Sequence, residues 1–252
     1  MSSEFGSLAY DATMGRIFSS FSTEFYERYL VKLEELVLQY LPKGAHIFDL
    51  CCGRGELAQL LQEKGYQVTG LDGSKVLLQY ARQNTRSVKF ILDDARYFKL
   101  PPTFHAVVSI GNSLGEVTII EELESVFQRV YAALLENGVF AFELFLEEVF
   151  LPDSVPKIIG DVGDDYAWIA RVKYDRENKI YQETHTNFEL IKGEWQRSEV
   201  TSLTKAYSTA EIQSALEKIG FTDVSIYDQE RDLGQDGRAG KISIVCRKPL
   251  IT

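Results

Sequence analysis

The chain has 252 residues, 45% of them hydrophobic and 12% aromatic, enough to bury a core as one large domain or one domain with a sizeable insertion, so a disordered polymer is excluded. A net charge of −10 with no Lys/Arg cluster would repel a phosphate backbone, which argues against nucleic acid as partner. The three cysteines form no CxxC pair, no run of about 18 apolar residues occurs, and Met1-Ser2-Ser3-Glu4-Phe5 lacks a basic region before an apolar stretch. The expectation is a soluble cytoplasmic protein with no membrane partner and no metal ligand set.

In chain order, residues 17–40 carry Phe18, Phe21, Phe25, Tyr29, Leu33 and Leu36 at helical spacing, and Pro42-Lys43-Gly44 ends the run. Its aromatic stripe suits a core, although the first turns could line a substrate mouth. Strand-like and helical runs then alternate: strand 45–50, helix 54–64, strand 66–71, helix 74–84, strand 88–92, strand 104–110, helix 119–135 and strand 138–146. Such alternation predicts a largely parallel sheet with helices on both faces. Glu136-Asn137-Gly138 is expected to close the last helix.

After residue 146 the pattern changes. Residues 166–174, 180–190 and 194–205 alternate as antiparallel strands, separated by Asp175-Arg176-Glu177-Asn178 and Lys192-Gly193. Ser208 and Glu211 then form a candidate capping box for a helix that Gly220-Phe221 ends, and strands 222–228 and 240–248 complete the pattern. The predicted organisation is a main α/β domain of residues 1–146 and 207–252, with 147–206 as an inserted antiparallel sheet.

The most informative stretch is Ile47-Phe48-Asp49-Leu50-Cys51-Cys52-Gly53-Arg54-Gly55-Glu56-Leu57, a strand, a glycine turn and a helix start. Gly53 and Gly55 permit backbone angles closed to other residues and let a ligand lie against the main chain, near unpaired helical N–H groups. Gly53-x-Gly55-x-x-Ala58 satisfies the loose dinucleotide fingerprint. Asp49, however, would repel a pyrophosphate and welcome a cation, which favours the sulfonium and amino group of S-adenosylmethionine over NAD.

Asp49 through Gly55 resembles the first motif of the class I S-adenosylmethionine-dependent methyltransferases. Asp72, in Val68-Thr69-Gly70-Leu71-Asp72-Gly73-Ser74, lies 23 residues after Asp49, near the spacing of about 20 at which an acid meets a ribose in doubly wound folds. Asp94-Ala95 resembles the family's adenine-binding element. Val107-Val108-Ser109-Ile110-Gly111-Asn112-Ser113-Leu114 resembles the element that lines the methionine arm. The resemblance implies a Rossmann-like, doubly wound, mostly parallel seven-stranded sheet. It implies cofactor contacts at Asp49, Cys51, Gly53, Gly55, Asp72, Gly73, Asp94, Ala95, Ser109 and Asn112, with Arg16 able to reach the methionine carboxylate and S-adenosylhomocysteine as product. Cys51 and Cys52 read as packing residues whose backbone matters.

The inserted strands resemble those of small-molecule N-methyltransferases, notably dimethyltransferases of nucleotide-linked amino sugars. Methyl transfer needs mainly positioning of a nucleophile, and an amine must also arrive neutral, which a carboxylate or imidazole can assist. Glu116 is the first candidate, standing where the amino-sugar enzymes carry a histidine; His185 is the second, with a solvated or core-paired histidine as its alternative. Tyr10 resembles the tyrosine of an N-terminal lid. The expected activity is methyl transfer to a small molecule, an amine favoured over a hydroxyl. An NAD-linked oxidoreductase and a non-catalytic S-adenosylmethionine-binding protein are the alternatives. The oligomeric state stays open, a homodimer being one option.

Overall fold

In the computed structural model, which describes residues 23–85, 87–151, 158–234 and 240–250, the apolar runs become strands, those at the centre of the sheet buried on both faces. Before the first strand comes α1 (Thr23–Leu36), which ends before the predicted limit at 40 and gives way to a 3-10 turn at Leu38–Tyr40; positions 17–22 of that prediction, Phe18 and Phe21 among them, lie outside the described residues. The elements β1 (His46–Leu50), α2 (Glu56–Glu63), β2 (Gln67–Asp72), α3 (Lys75–Asn84), β3 (Lys89–Leu92) and β4 (Phe104–Ser109) follow in order. Then come α4 (Ile120–Ala133), β5 (Leu134–Phe145) and a short α5 (Glu147–Phe150).

Side chains alternate between two cores. Ile47 of β1 packs with Leu57 and Leu61 of α2 and Leu30 of α1, whereas Phe48 and Leu50 join Phe127 of α4. On β5, Val139 and Ala141 enter the first core; Phe140, Phe142 and Leu144 enter the second. Helices therefore cover both faces, as expected of a doubly wound sheet. The second core is closed by α6 (Thr209–Ile219), whose N-terminus carries the Ser208–Glu211 capping box and whose end is Gly220 at φ 106°.

The strand order is β3-β2-β1-β4-β5-β11-β10, with β10 at Thr222–Asp228 and β11 at Lys241–Arg247. All pairs are parallel except those of β11, which runs antiparallel to both β5 and β10. Reversal of β11 sets its first residue, Lys241, beside Phe145 near the end of the sheet where the parallel strands finish.

A separate antiparallel sheet, β6 (Ile158–Val162), β7 (Tyr166–Asp175), β8 (Ile180–Ile191) and β9 (Glu194–Lys205), forms the insertion. It has four strands where the alternation predicts three. It joins the main sheet through an apolar cluster of Val149, Phe150, Tyr181 and Ala206 packed by Phe145 and Tyr174, and β9 packs over the turn that follows β4. Glu136-Asn137-Gly138 departs from its predicted role: α4 ends at Ala133, and these residues lie within β5 as an irregularity between the pairs Phe104↔Leu134 and Ala106↔Val139. Asn137, at φ 60°, takes the left-handed conformation that asparagine tolerates. No helix among the described residues is long and apolar enough to cross a membrane.

Candidate active site

Where the parallel strands end, a cavity of about 530 Å³ opens, at the edge where open α/β sheets receive ligands. Eight of the sequence-predicted residues line it: Asp49, Cys51, Gly53, Asp72 and Gly73 from the first two strand ends, and Asp94, Ala95 and Glu116 from the next two.

Asp49 is 2% exposed, and its Oδ2 is buried without a hydrogen-bond partner. Burial, then the neighbouring Asp72 and Glu56 carboxylates, push its pKa well above the ordinary carboxylate range. A buried acid beside other acids is stabilised by an incoming cation. Asp72 builds the wall next to it: Oδ2 accepts from the Gly53 N–H at 2.9 Å and Oδ1 from the Ser74 N–H at 2.7 Å. These bonds tie the glycine turn to the start of α3 and leave further lone pairs on an ionised carboxylate.

Gly53 sits at φ 53° and Gly111 at φ 73°, both left-handed, and a Cβ at either would meet no atom within 4 Å. The space beside the main chain is therefore open to a ligand. Cys51 shares the left-handed region at φ 61°. Burial, then the surrounding carboxylates, raises its thiol pKa strongly, and burial does the same for Cys52, so neither offers a thiolate at neutral pH. Asp94 is clasped by Arg96, Nε at 3.0 Å and the terminal nitrogen at 2.7 Å. Burial alone would raise its pKa, but the guanidinium and the Arg96 N–H hold it below the ordinary value.

Four predicted residues stand away from the cavity wall. Gly55 caps α2 from behind at φ 78°, where a Cβ would come within 2.9 Å of the Phe90 ring; its smallness serves packing of α2 against β3. Ser109 is buried in a small recess behind Tyr29. Asn112, at φ 65°, accepts from the Phe145 N–H at 2.8 Å through Oδ1 and so fixes the loop whose neighbours Gly111 and Ser113 do reach the cavity. His185 is 9% exposed and packs at 5.4 Å between ring centroids from Trp168, with its Nε2 2.9 Å from Glu183 Oε1. Tyr10 and Arg16 lie outside the described residues.

The sequence reading passed over Glu183, Tyr26, Lys241 and Glu143. Among the described residues, Glu183 is the one side chain of the inserted strands in the cavity wall. Tyr26 and Tyr29 bring the face of α1 to the cavity, as the aromatic stripe allowed. Glu143, buried under the Gly111 loop, accepts from the Gly111 N–H at 2.8 Å, from Gln229 at 2.6 Å and from the Tyr29 hydroxyl; burial pushes its pKa up to about 7. A carboxylate inside the run Phe140-Ala141-Phe142-Glu143-Leu144-Phe145 was the available signal, since a doubly covered strand leaves a charge no water.

A family described as "Methyltransferase domain" matches residues 47–138, the span of the glycine turn and the cavity wall. YqeM of Bacillus subtilis (strain 168), named a methyltransferase, is 30% identical over 192 residues, covering 72% of this chain and 75% of that protein. The chain belongs to the class I S-adenosylmethionine-dependent methyltransferases. The methyltransferase is also similar to a dTDP-3-amino-3,6-dideoxy-alpha-D-glucopyranose N,N-dimethyltransferase of Streptomyces fradiae, 31% identical over 131 residues, 52% of this chain and 51% of the relative. Its fold matches that of SAM-bound CalS10, an amino pentose methyltransferase from Micromonospora echinaspora, at a TM-score of 0.71 and 17% identity. That match covers 95% of this chain and 98% of the other, so the likeness of fold runs through the insertion.

The methyltransferase cavity suits its donor. The unpartnered Asp49 oxygen answers a cation, and the open main chain at Gly53 and Gly111 admits close approach. The NAD alternative is overturned by the family match to methyltransferases.

Proposed function

We propose that this methyltransferase transfers the methyl group of S-adenosylmethionine to the nitrogen of a small amine, with Glu116 and Glu183 receiving the amine. The observation that carries this reading is Glu183: the insertion contributes one described side chain to the cavity wall, and it is a carboxylate. An ammonium is drawn to such a wall, and a carboxylate can take its proton directly or through water. When bound, the donor supplies an electrophilic methyl carbon and leaves as S-adenosylhomocysteine.

The residues divide the remaining work. Asp49 answers the donor's positive charge, Asp72 offers its spare lone pairs to the ribose, and Asp94-Ala95 borders the adenine. Gly111 and Ser113 border the methionine arm. His185 acts behind Glu183, fixing the carboxylate's rotamer. The main sheet then serves the donor, and residues 147–206 serve the acceptor. The amino-sugar dimethyltransferase similarity supports an amine over a hydroxyl, and the three free thiols suit a reducing compartment such as the cytoplasm. The test is turnover with methyl-labelled donor and a panel of small amines matched to the corresponding alcohols. Labelled N-methyl product supports the reading; methylation of the alcohols alone overturns it.

A further inference from the structure

Three cations line the cavity: Arg54, Arg96 and Lys241. Two are committed. Arg96 is 3% exposed and bridges Asp94 at 2.7 Å and Glu122 at 2.8 Å. Arg54 pairs with Glu56 at 3.2 Å and stacks over Tyr80 at 4.9 Å. Lys241 differs, for among the described residues no carboxylate comes within the 4.0 Å that defines an ion pair. Its ammonium rests 5.2 Å from the Phe145 ring centroid, and Phe145 is itself cavity wall.

The sheet fixes this placement. Lys241 opens β11 in register with Phe145, and its carbonyl accepts from the Gln229 N–H at 2.9 Å. The donor's cradle lies on β1, β2, β3 and the loop after β4, whereas β11 is the second strand beyond β4. At about 4.8 Å per strand, Lys241 stands roughly 10 Å across the sheet from β4. Lys241 is half-buried; its ammonium lies on an aromatic ring and feels the buried Glu143 carboxylate without pairing to it at contact distance, so a ligand bringing negative charge can pair with it directly.

The geometry points to Lys241 as the anchor for an anionic group on the acceptor, so that the acceptor is a small amine that also bears a carboxylate or a phosphate. This rests on the amine reading for the other end of the molecule, which faces Glu116 and Glu183. Lys241 then acts as a specificity residue: its charge selects acidic amines and its fixed position on β11 sets the span between anion and nitrogen.

The rival occupant of Lys241 is the donor's own carboxylate, and the experiment separates the two. Lysine-labelled protein saturated with S-adenosylhomocysteine is titrated with acetate and, separately, with inorganic phosphate while the Lys241 resonance is followed by NMR, assigned through Lys241→Gln. Turnover is then compared within the pairs propylamine and β-alanine, and ethanolamine and O-phosphoethanolamine. The expected result is a saturable Lys241 shift with at least one anion, the responsive anion identifying the group. Donor-product affinity in Lys241→Gln should stay within about threefold of wild type. Where a pair turns over, the acidic member should be preferred by about tenfold or more, and Lys241→Gln should erase that preference. Absence of a shift with both anions overturns the inference, as does a loss of about tenfold or more in S-adenosylhomocysteine affinity in Lys241→Gln. Methyl transfer to oxygen with the anion shift intact would instead sink the amine reading and leave the anion anchor standing.

Discussion

Glu183 and His185 stand two positions apart on β8, on one face of the strand, with Oε1 and Nε2 2.9 Å apart. The carboxylate lines the cavity while the imidazole lies behind it against Trp168. In the proposed function the substrate's proton acceptor is Glu183, held by His185. Glu183→Gln keeps the shape and removes the charge, so kcat should fall by about 10²–10⁴-fold, most steeply at low pH where the amine is least often neutral. His185→Gln should lower kcat less and move its pH profile. Both variants should bind S-adenosylhomocysteine as wild type does by calorimetry; a Glu183→Gln enzyme with undiminished kcat across the pH range would remove Glu183 from proton transfer.

In its proposed role toward the donor's positive charge, Asp49 should give donor binding a pH signature. Its pKa is raised by burial first and by Asp72 and Glu56 next, so at lower pH it is protonated and offers a cation little. Affinity for S-adenosylmethionine should therefore rise with pH as Asp49 ionises. Asp49→Asn should flatten that dependence and, at high pH, weaken binding by about 1.5–3 kcal/mol, roughly 10- to 150-fold. A titration series in which the Asn variant keeps the wild-type slope would assign the pH dependence elsewhere.

Asp72 holds structure, and in the proposed function it holds the donor as well. Asp72→Ala would strand the N–H groups of Gly53 and Ser74, now bonded at 2.9 and 2.7 Å. Stability should drop by about 1–3 kcal/mol in addition to the loss of donor affinity. Chemical denaturation of the ligand-free variant checks this; unchanged stability would mean that water replaces both bonds without cost.

How far the sequence alone reaches is visible in these residues. The central strands are legible because a strand covered on both faces must be apolar along its length, as Phe140 to Leu144 are apart from Glu143. The cavity acids Asp49, Asp72 and Asp94 are legible because each follows such a run closely. Glu183 is harder: a period of two puts residues 183 and 185 on one face, but only the tilt of the insertion over the cavity decides which enters. Lys241 is harder still, since it meets the site through an antiparallel pairing with Phe145 nearly a hundred positions away. Strand β6 is short, contains Gly160 and borders Gly163, and so lacks the alternation that marks its neighbours.

Glu143 predicts a stability slope. Burial raises its pKa from 4.5 to about 7, so between those values the folded protein keeps a proton that the unfolded chain releases. Stability should fall as pH rises through that window, by up to roughly 3 kcal/mol. Glu143→Gln should remove that slope while retaining an acceptor for the Gly111 N–H. Denaturant midpoints at intervals across the window would show it, and parallel curves for the two proteins would contradict it.

The most direct measurement is the atom that receives the methyl group. Reactions with isotopically labelled S-adenosylmethionine and the matched amine and alcohol panel, analysed by mass spectrometry and NMR, locate the label in the product. The account predicts label on nitrogen, and loss of that product in a Glu116→Gln, Glu183→Gln double variant that still binds S-adenosylhomocysteine. Label on oxygen or carbon alone, or undiminished N-methylation by the double variant, would contradict it.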